Sequence, residues 1–312
     1  MDSIPTFEEA AQRRWAEIKD GFRNAKHRQD WISSLERHVF PTIGAVRVDR
    51  LKPKDFADAL RQCWKASPDT ARRVKQRCHG VMAACYALGL TAANPVDVVG
   101  LLMSPQPAIE RHQPAMPWQT VPEFVQAKLT RQPVLGARAA LLFAILTCAR
   151  SGEVRGAVWS EIDTDAKLWT IPEERMKAHR EHRVPLSDAA LRLLAMQPRS
   201  QALVFPAIRG GELSDMALSS LLRKAHAPSD VTGRTATAHG FRSSFRNWAA
   251  DHGYDEALAE RALAHTIRNK VQAAYERTDR LAARVEMMQA WADHVMGGEH
   301  ANVVALRTGV TA

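Results

Sequence analysis

Apolar residues recur at helical spacing along most of the chain. Between Pro68 and Leu88, Ala71, Val74, Cys78, Val81, Met82 and Cys85 fall three or four apart, as on one buried helix face, while Arg72, Arg73, Gln76, Arg77 and His79 fall on other faces. The same spacing predicts helices over Thr6–Asp20, His27–His38 and Pro53–Trp64. From Met103 to Pro117 the pattern stops: Pro105, Pro107, Pro114 and Pro117 leave little room for helix or central strand, which marks a linker. Helices near Val121–Leu129 and over Leu135–Ala149 follow, the second almost wholly apolar and expected to stop at Arg150, Ser151 and Gly152, where glycine suits a helix end. The period then changes. Lys167–Ile171 (KLWTI) and His182–Leu186 (HRVPL) read as two short strands of a small antiparallel sheet, flanking a charged turn that contains Lys177. Helices resume over Ser187–Met196, Ala217–His226, His239–His252, Asp255–Ala264 and Asn269–Arg277. A last one, Asp279–Val295, carries Leu281, Val285, Met288, Trp291 and Val295 at helical spacing. The expected fold class is α+β, mainly α: a helical domain over residues 1–103, a Pro-rich linker over 104–117, a mostly helical domain with a small sheet over 118–296, and a tail over 297–312.

Composition narrows the function. With 312 residues, 46% hydrophobic and 25% charged, the chain is neither disordered nor a low-complexity scaffold. Its longest apolar stretch, Ala139–Ala149, is well short of the ~20 residues a membrane helix needs, and no secretory signal is visible, so a cytoplasmic location is expected. Cys63, Cys78, Cys85 and Cys148 form no C-x-x-C pair and read as reduced, small apolar residues. The net charge of +9 is spread over both parts of the chain, with 17 Lys+Arg against 12 Asp+Glu in residues 1–100 and 26 against 22 in the rest, which points to a polyanionic partner, most simply nucleic acid. On the helix over Pro68–Leu88, Arg72, Arg73 and Arg77 are either a solvated face or a DNA-facing one; the sequence leaves both open. Metal motifs, a phosphate loop and a dinucleotide fingerprint are missing, and the H-x-x-H of His179 and His182 lies in a turn among arginines, so neither metal nor cofactor is expected.

What remains is a set of cations and imidazoles in the second domain. In TAHGFRSSFRNW, His239 and Arg242 share a helix face near a helix start, a setting for an anion, although an H-x-x-R pair also arises by chance. Arg150 could equally complement a helix C-terminus, and Tyr275 could be an ordinary half-buried aromatic. Taken together and in order, TCARSGEVRGAVWSEID, RMKAHREHRVPLS, HGFRSSFRNWA, LAHTIRNKVQAAYERTD and MMQAWADHV resemble the catalytic domain of tyrosine recombinases, the phage-integrase family, and above all the integrases of prophages and genomic islands. The resemblance runs from about Trp118 to Val295, and residues 1–103 are similar to the family's helical core-binding domain.

The resemblance implies that Arg150 and Arg242 hold the scissile phosphate, that His239 and His265 complete the phosphate site, and that Tyr275 is the nucleophile. Lys177 is implied to protonate the leaving 5′ oxygen and Glu153 to support the site from behind. It further implies double-stranded DNA as substrate, clamped between the two domains, self-association on DNA as a tetramer in synapsis with the helix Asp279–Val295 docked on a neighbour, although its apolar stripe fits docking in cis as well, and room for DNA-bending accessory factors. Related integrases carry a further N-terminal arm-binding domain, and this chain starts where that domain would end. Independently of the name, phosphoryl transfer needs mainly positioning and charge neutralisation, which two guanidiniums supply, and a phenol of reference pKa about 10 needs an acceptor or a cationic setting, which His239 and the arginines supply. Tyr86 lies near an N-terminal apolar face and Tyr254 follows a glycine turn, so Tyr275 alone follows the histidine and arginine motifs. Rival readings are a type IB topoisomerase-like enzyme and a non-cutting architectural DNA-binding protein.

Overall fold

The structure, a computed structural model, describes residues 3–22, 25–106, 113–265 and 279–298. It divides into two compact units, Met1–Glu110 and Arg111–Ala312. Among the described residues no helix is long and apolar enough to cross a membrane.

The first unit is a helical bundle of α1 (Phe7–Ile18), α2 (Ala25–His38), the single turn α3 (Phe40–Ile43), α4 (Pro53–Ala66) and α5 (Pro68–Ala87). Local chemistry sets the helix starts. Thr6 caps α1, its hydroxyl accepting from the Glu9 N–H at 3.3 Å while the Glu9 carboxylate accepts from the Thr6 N–H at 2.8 Å. Proline occupies the first position of both α4 and α5, where its missing N–H costs nothing. The stripe Ala71, Val74, Cys78, Val81, Met82 and Cys85 is buried as the spacing predicts, packed with Phe7, Leu35 and Phe56. Tyr86 is not part of that face: it is 55% exposed.

The second unit is built around α7 (Gly136–Thr147), buried on every side from Ala139 onward, as expected of a helix apolar all round. About it lie α6 (Val121–Lys128), α8 (Ser151–Arg155), α9 (Asp188–Ala195), α10 (Ala217–Lys224), α11 (Gly240–Asp251), α12 (Glu256–Ala262) and α13 (Leu281–Val295). The sheet has three strands rather than the two expected. β2 (Leu168–Ile171) and β3 (His182–Pro185) pair antiparallel, with Trp169 opposite Val184, and the two-residue β1 (Ile162–Asp163) pairs on the far side of β2. Trp169 and Ile171 are buried and Thr170 between them is not, the period of a half-buried strand.

Two expectations change. The chain over 114–117, read as linker, is built into the second unit: Ala115 and Met116 are buried, the Ala115 N–H donates to the Asp230 carboxylate at 2.9 Å, and the Ala115 carbonyl accepts from the Asp230 N–H at 2.8 Å. The helix over Asp279–Val295, expected to dock on a neighbour with docking in cis left open, packs on its own unit. Met287, Met288, Trp291, Ala292 and Val295 lie in that unit's core, Trp291 Nε1 donates to the Ile145 carbonyl at 2.8 Å, and buried Arg284 donates to the Arg183 carbonyl at 2.6 Å. The expected helix Asn269–Arg277 and most of the tail, residues 299–312, lie outside the described residues.

Candidate active site

The site begins at a bend. Helix α7 ends at Thr147 because Cys148 turns left-handed at φ 55°, and Arg150, in extended conformation, leads into α8. Gly152, expected to end the long helix, lies inside the short one that follows. Glu153, one turn into α8 and only 5% exposed, accepts from the Arg150 backbone N–H and from Nη1, both at 2.8 Å. Arg150 Nη2 donates to the Ala264 carbonyl at 3.2 Å. A buried carboxylate and a carbonyl thus fix a guanidinium whose other N–H groups are uncommitted among the described residues.

The second arginine comes from α11. Gly240 opens that helix against the chain at Pro114, where an added Cβ would lie 2.0 Å from the Pro114 oxygen, so only glycine permits the approach. Two residues on, Arg242 is 3% exposed and donates to the carbonyls of Cys148 and Leu263, while its Nη2 stands 3.0 Å from His265 Nε2. Burial, followed by the neighbouring Arg150, lowers its pKa to about 10, which leaves it charged near neutrality. The two guanidiniums therefore converge on one short turn, through the consecutive carbonyls of Leu263 and Ala264. That turn ends α12 with Ala264 left-handed at φ 48° and the His265 N–H donating to the Glu260 carbonyl at 3.0 Å, a helix end that glycine usually provides.

Three further groups surround the arginines. His239 stands at the start of α11, its pKa lowered by burial and then by Arg242, Arg150, His265 and Lys177. Lys177 is exposed in the turn between β2 and β3, near enough to act on that imidazole. His265 bridges Arg242 and Glu260, with Nδ1 2.6 Å from Glu260 Oε2. The structure thus brings together Arg150, Glu153, Lys177, His239, Arg242 and His265. Tyr275 lies outside the described residues.

Several participants lie within the motifs but were not singled out by the sequence. His182, weighed earlier only as half of an H-x-x-H pair, opens β3 facing Arg284, Glu153 and Arg150, and burial foremost lowers its pKa to about 4, so its ring is neutral. Arg175 donates to Glu161 and to the Glu153 carbonyl, steadying α8 from behind. Arg246 Nε donates to Glu260 Oε1 at 2.8 Å and its Nη2 to Glu256 at 2.6 Å. These pairs join distant elements, and no local spacing announces them. Among the described residues no group of three or more His, Cys, Asp and Glu side chains could hold a metal ion.

In the first unit the three α5 arginines differ. Arg72 is exposed and paired at 3.1 Å with Asp69, one turn before it, and Arg73 is exposed. Arg77 lies against α2, donating to the Asp30 carbonyl at 2.6 Å and to the Ser34 hydroxyl.

Comparison with known proteins follows the same division. Residues 7–100 match the phage integrase central domain and residues 118–280 match the phage integrase family. The prophage integrase IntA of Escherichia coli (strain K12) is 31% identical over 298 residues, covering 93% of this chain and 70% of that protein. A lambda integrase dimer bound to a COC′ core site superposes with a TM-score of 0.66 at 17% identity, over 88% of this chain and 96% of that one. A lambda integrase tetramer bound to a Holliday junction gives 0.66 at 16% identity, over 89% and 79%. At these identities the two solved structures speak to the fold.

Proposed function

Since the chain belongs to the phage integrase family, the site-specific tyrosine recombinases that exchange DNA strands, we propose that its reaction runs through Tyr275 and a phosphate held by Arg150 and Arg242. The Tyr275 oxygen attacks the scissile phosphorus, the bond to the 5′ oxygen breaks, and a 3′-phosphotyrosine forms. His239 takes the phenol proton and Lys177 gives a proton to the departing 5′ oxygen. The number of phosphoester bonds is unchanged, so the reverse step, attack by a 5′ hydroxyl from a partner duplex, rejoins the strand without ATP. Arg150 and Arg242 neutralise the nonbridging oxygens, and Glu153 keeps Arg150 in place.

The observation that carries this reading is the convergence of two guanidiniums from separate elements on one turn, with a neutral-leaning imidazole, His239, under the influence of both. Glu153 is paired with Arg150 and Glu260 with Arg246, so Arg242 and Lys177 have no carboxylate ion pair among the described residues, a balance that suits the single negative charge of a phosphodiester. The substrate is double-stranded DNA, which puts the protein to work in the cytoplasm. The lambda integrase assemblies are a dimer on a core site and a tetramer on a Holliday junction, and a tetramer in synapsis is the corresponding assembly here, open to DNA-bending accessory factors.

The test is strand exchange. Two duplexes carrying the cognate core site, one labelled, should yield Holliday junctions and recombinant strands with the wild-type chain and neither with Arg242→Ala. Relaxation of supercoiled DNA without recombinants would support the topoisomerase-like alternative, and binding without cutting the architectural one.

A further inference from the structure

We propose that Glu260 is a positioning residue: in the DNA-free site it holds His265 with its proton on Nδ1, so that Nε2 accepts from Arg242 and keeps that guanidinium in place until the phosphate arrives. The proposal rests on the reading of Arg242 as a phosphate ligand. Its basis is a chain of contacts from α11 through α12 and back. Arg246 Nε donates to Glu260 Oε1 at 2.8 Å, Glu260 Oε2 lies 2.6 Å from His265 Nδ1, and His265 Nε2 lies 3.0 Å from Arg242 Nη2.

The donor inventory makes the chain directional. A guanidinium only donates, so at 3.0 Å from Arg242 the Nε2 atom must accept. A ring whose Nε2 accepts carries its proton on Nδ1, which then donates to Glu260. Burial would raise the Glu260 carboxyl, but hydrogen bonds from His265 and Arg246 outweigh it and hold the group low, as a carboxylate ready to accept. Without that acceptor only the Arg242 contact would favour this tautomer, and the Nδ1 proton would lose its carboxylate partner. A proton on Nε2 would set two N–H donors against each other, and Arg242 would lose one of the partners that orient it. Arg246, anchored also to Glu256 at 2.6 Å, fixes Glu260 in turn. The bland alternative is that Glu260 only ties α12 to α11 through Arg246.

The two separate by comparing Glu260→Gln with Glu260→Leu in the full chain. Glutamine can still accept from Nδ1 through its amide oxygen; leucine cannot. The ring state of His265 is read by nitrogen NMR of 15N-histidine-labelled protein, its signals assigned by their loss in His265→Gln. Wild type and Glu260→Gln should show the proton on Nδ1, and Glu260→Leu should lose that signature. Cleavage of a nicked trap substrate should stay within about threefold of wild type in the glutamine variant. In the leucine variant it should fall on the order of 10- to 100-fold, by analogy with the loss of an outer partner of a metal-bound histidine, with core-site affinity preserved in both. Persistence of the Nδ1 proton in Glu260→Leu would overturn the proposal, and so would its loss with cleavage unchanged, or equal impairment of the two variants. The ring signature needs no cleavage, so an inactive wild-type chain would count against the recombinase reading while the NMR still decided whether Glu260 sets His265.

Discussion

His239 lies among cations with no carboxylate paired to it among the described residues, which is what a proton acceptor for a phenol requires. Burial and then Arg242, Arg150, His265 and Lys177 hold its pKa below the ordinary 6.5. The neutral ring therefore persists below pH 6.5, and activity should be lost only as pH falls through the lowered value. Cleavage of a nicked substrate at subsaturating DNA, measured from pH 5 to 8, should show an acid limb with its midpoint below 6.5, and His239→Asn should lose that limb along with most of the rate. A midpoint above 6.5, or an unchanged limb in the variant, would take His239 out of this role. The residues that the structure brings together, Arg150, Glu153, Lys177, His239, Arg242 and His265, could be named from sequence because each stands in a motif whose type and order are local. Their partners were not. Arg242 donates to carbonyls 94 and 21 residues away, and Glu260 meets His265 across a helix end shaped by a left-handed alanine, at a separation of five residues that no helix face displays.

At the level of elements, α13 carries the clearest consequence. Its apolar stripe was readable from sequence, but a stripe says only that a face is covered and not by what. Here the cover is the unit's own core, with Trp291 fully buried and bonded to the last turns of α7. Trp291→Ala should thus cost about 3–5 kcal/mol of stability in the DNA-free protein, measured by the shift in denaturant midpoint. If the helix served only contacts between protomers, that midpoint would not move and only assembly on paired sites would suffer. The bend between α7 and α8 was hidden for a related reason. Cys148 adopts a left-handed conformation that no glycine advertises, so the periodicity ran on to Ala149 while the backbone turned to present the Cys148 carbonyl to Arg242.

Across the molecule, the excess of +9 is carried by residues 1–100 and by the rest of the chain alike, and the burial of individual arginines decides which of them can meet DNA. Arg72 and Arg73 are exposed on α5, whereas Arg77 is spent on α2. Neutralising Arg72 and Arg73 together should weaken core-site binding and flatten the slope of log K against log salt by about 1.8 if each meets one phosphate. Arg77→Ala should instead lower the stability of the first unit by about 1–2 kcal/mol, with little change in the slope. An unchanged slope in the double variant would leave the α5 face merely solvated.

The proposed chemistry turns on one bond, that between Tyr275 and the 3′ phosphate. A nicked trap substrate whose short 5′ fragment diffuses away should leave wild-type protein covalently attached to the 3′ side of the break, and peptide mapping of the denatured adduct should find the modification on Tyr275. Tyr275→Phe should bind the same duplex with wild-type affinity and form no adduct. An adduct of undiminished yield in Tyr275→Phe, or one mapped to another residue, would contradict the account.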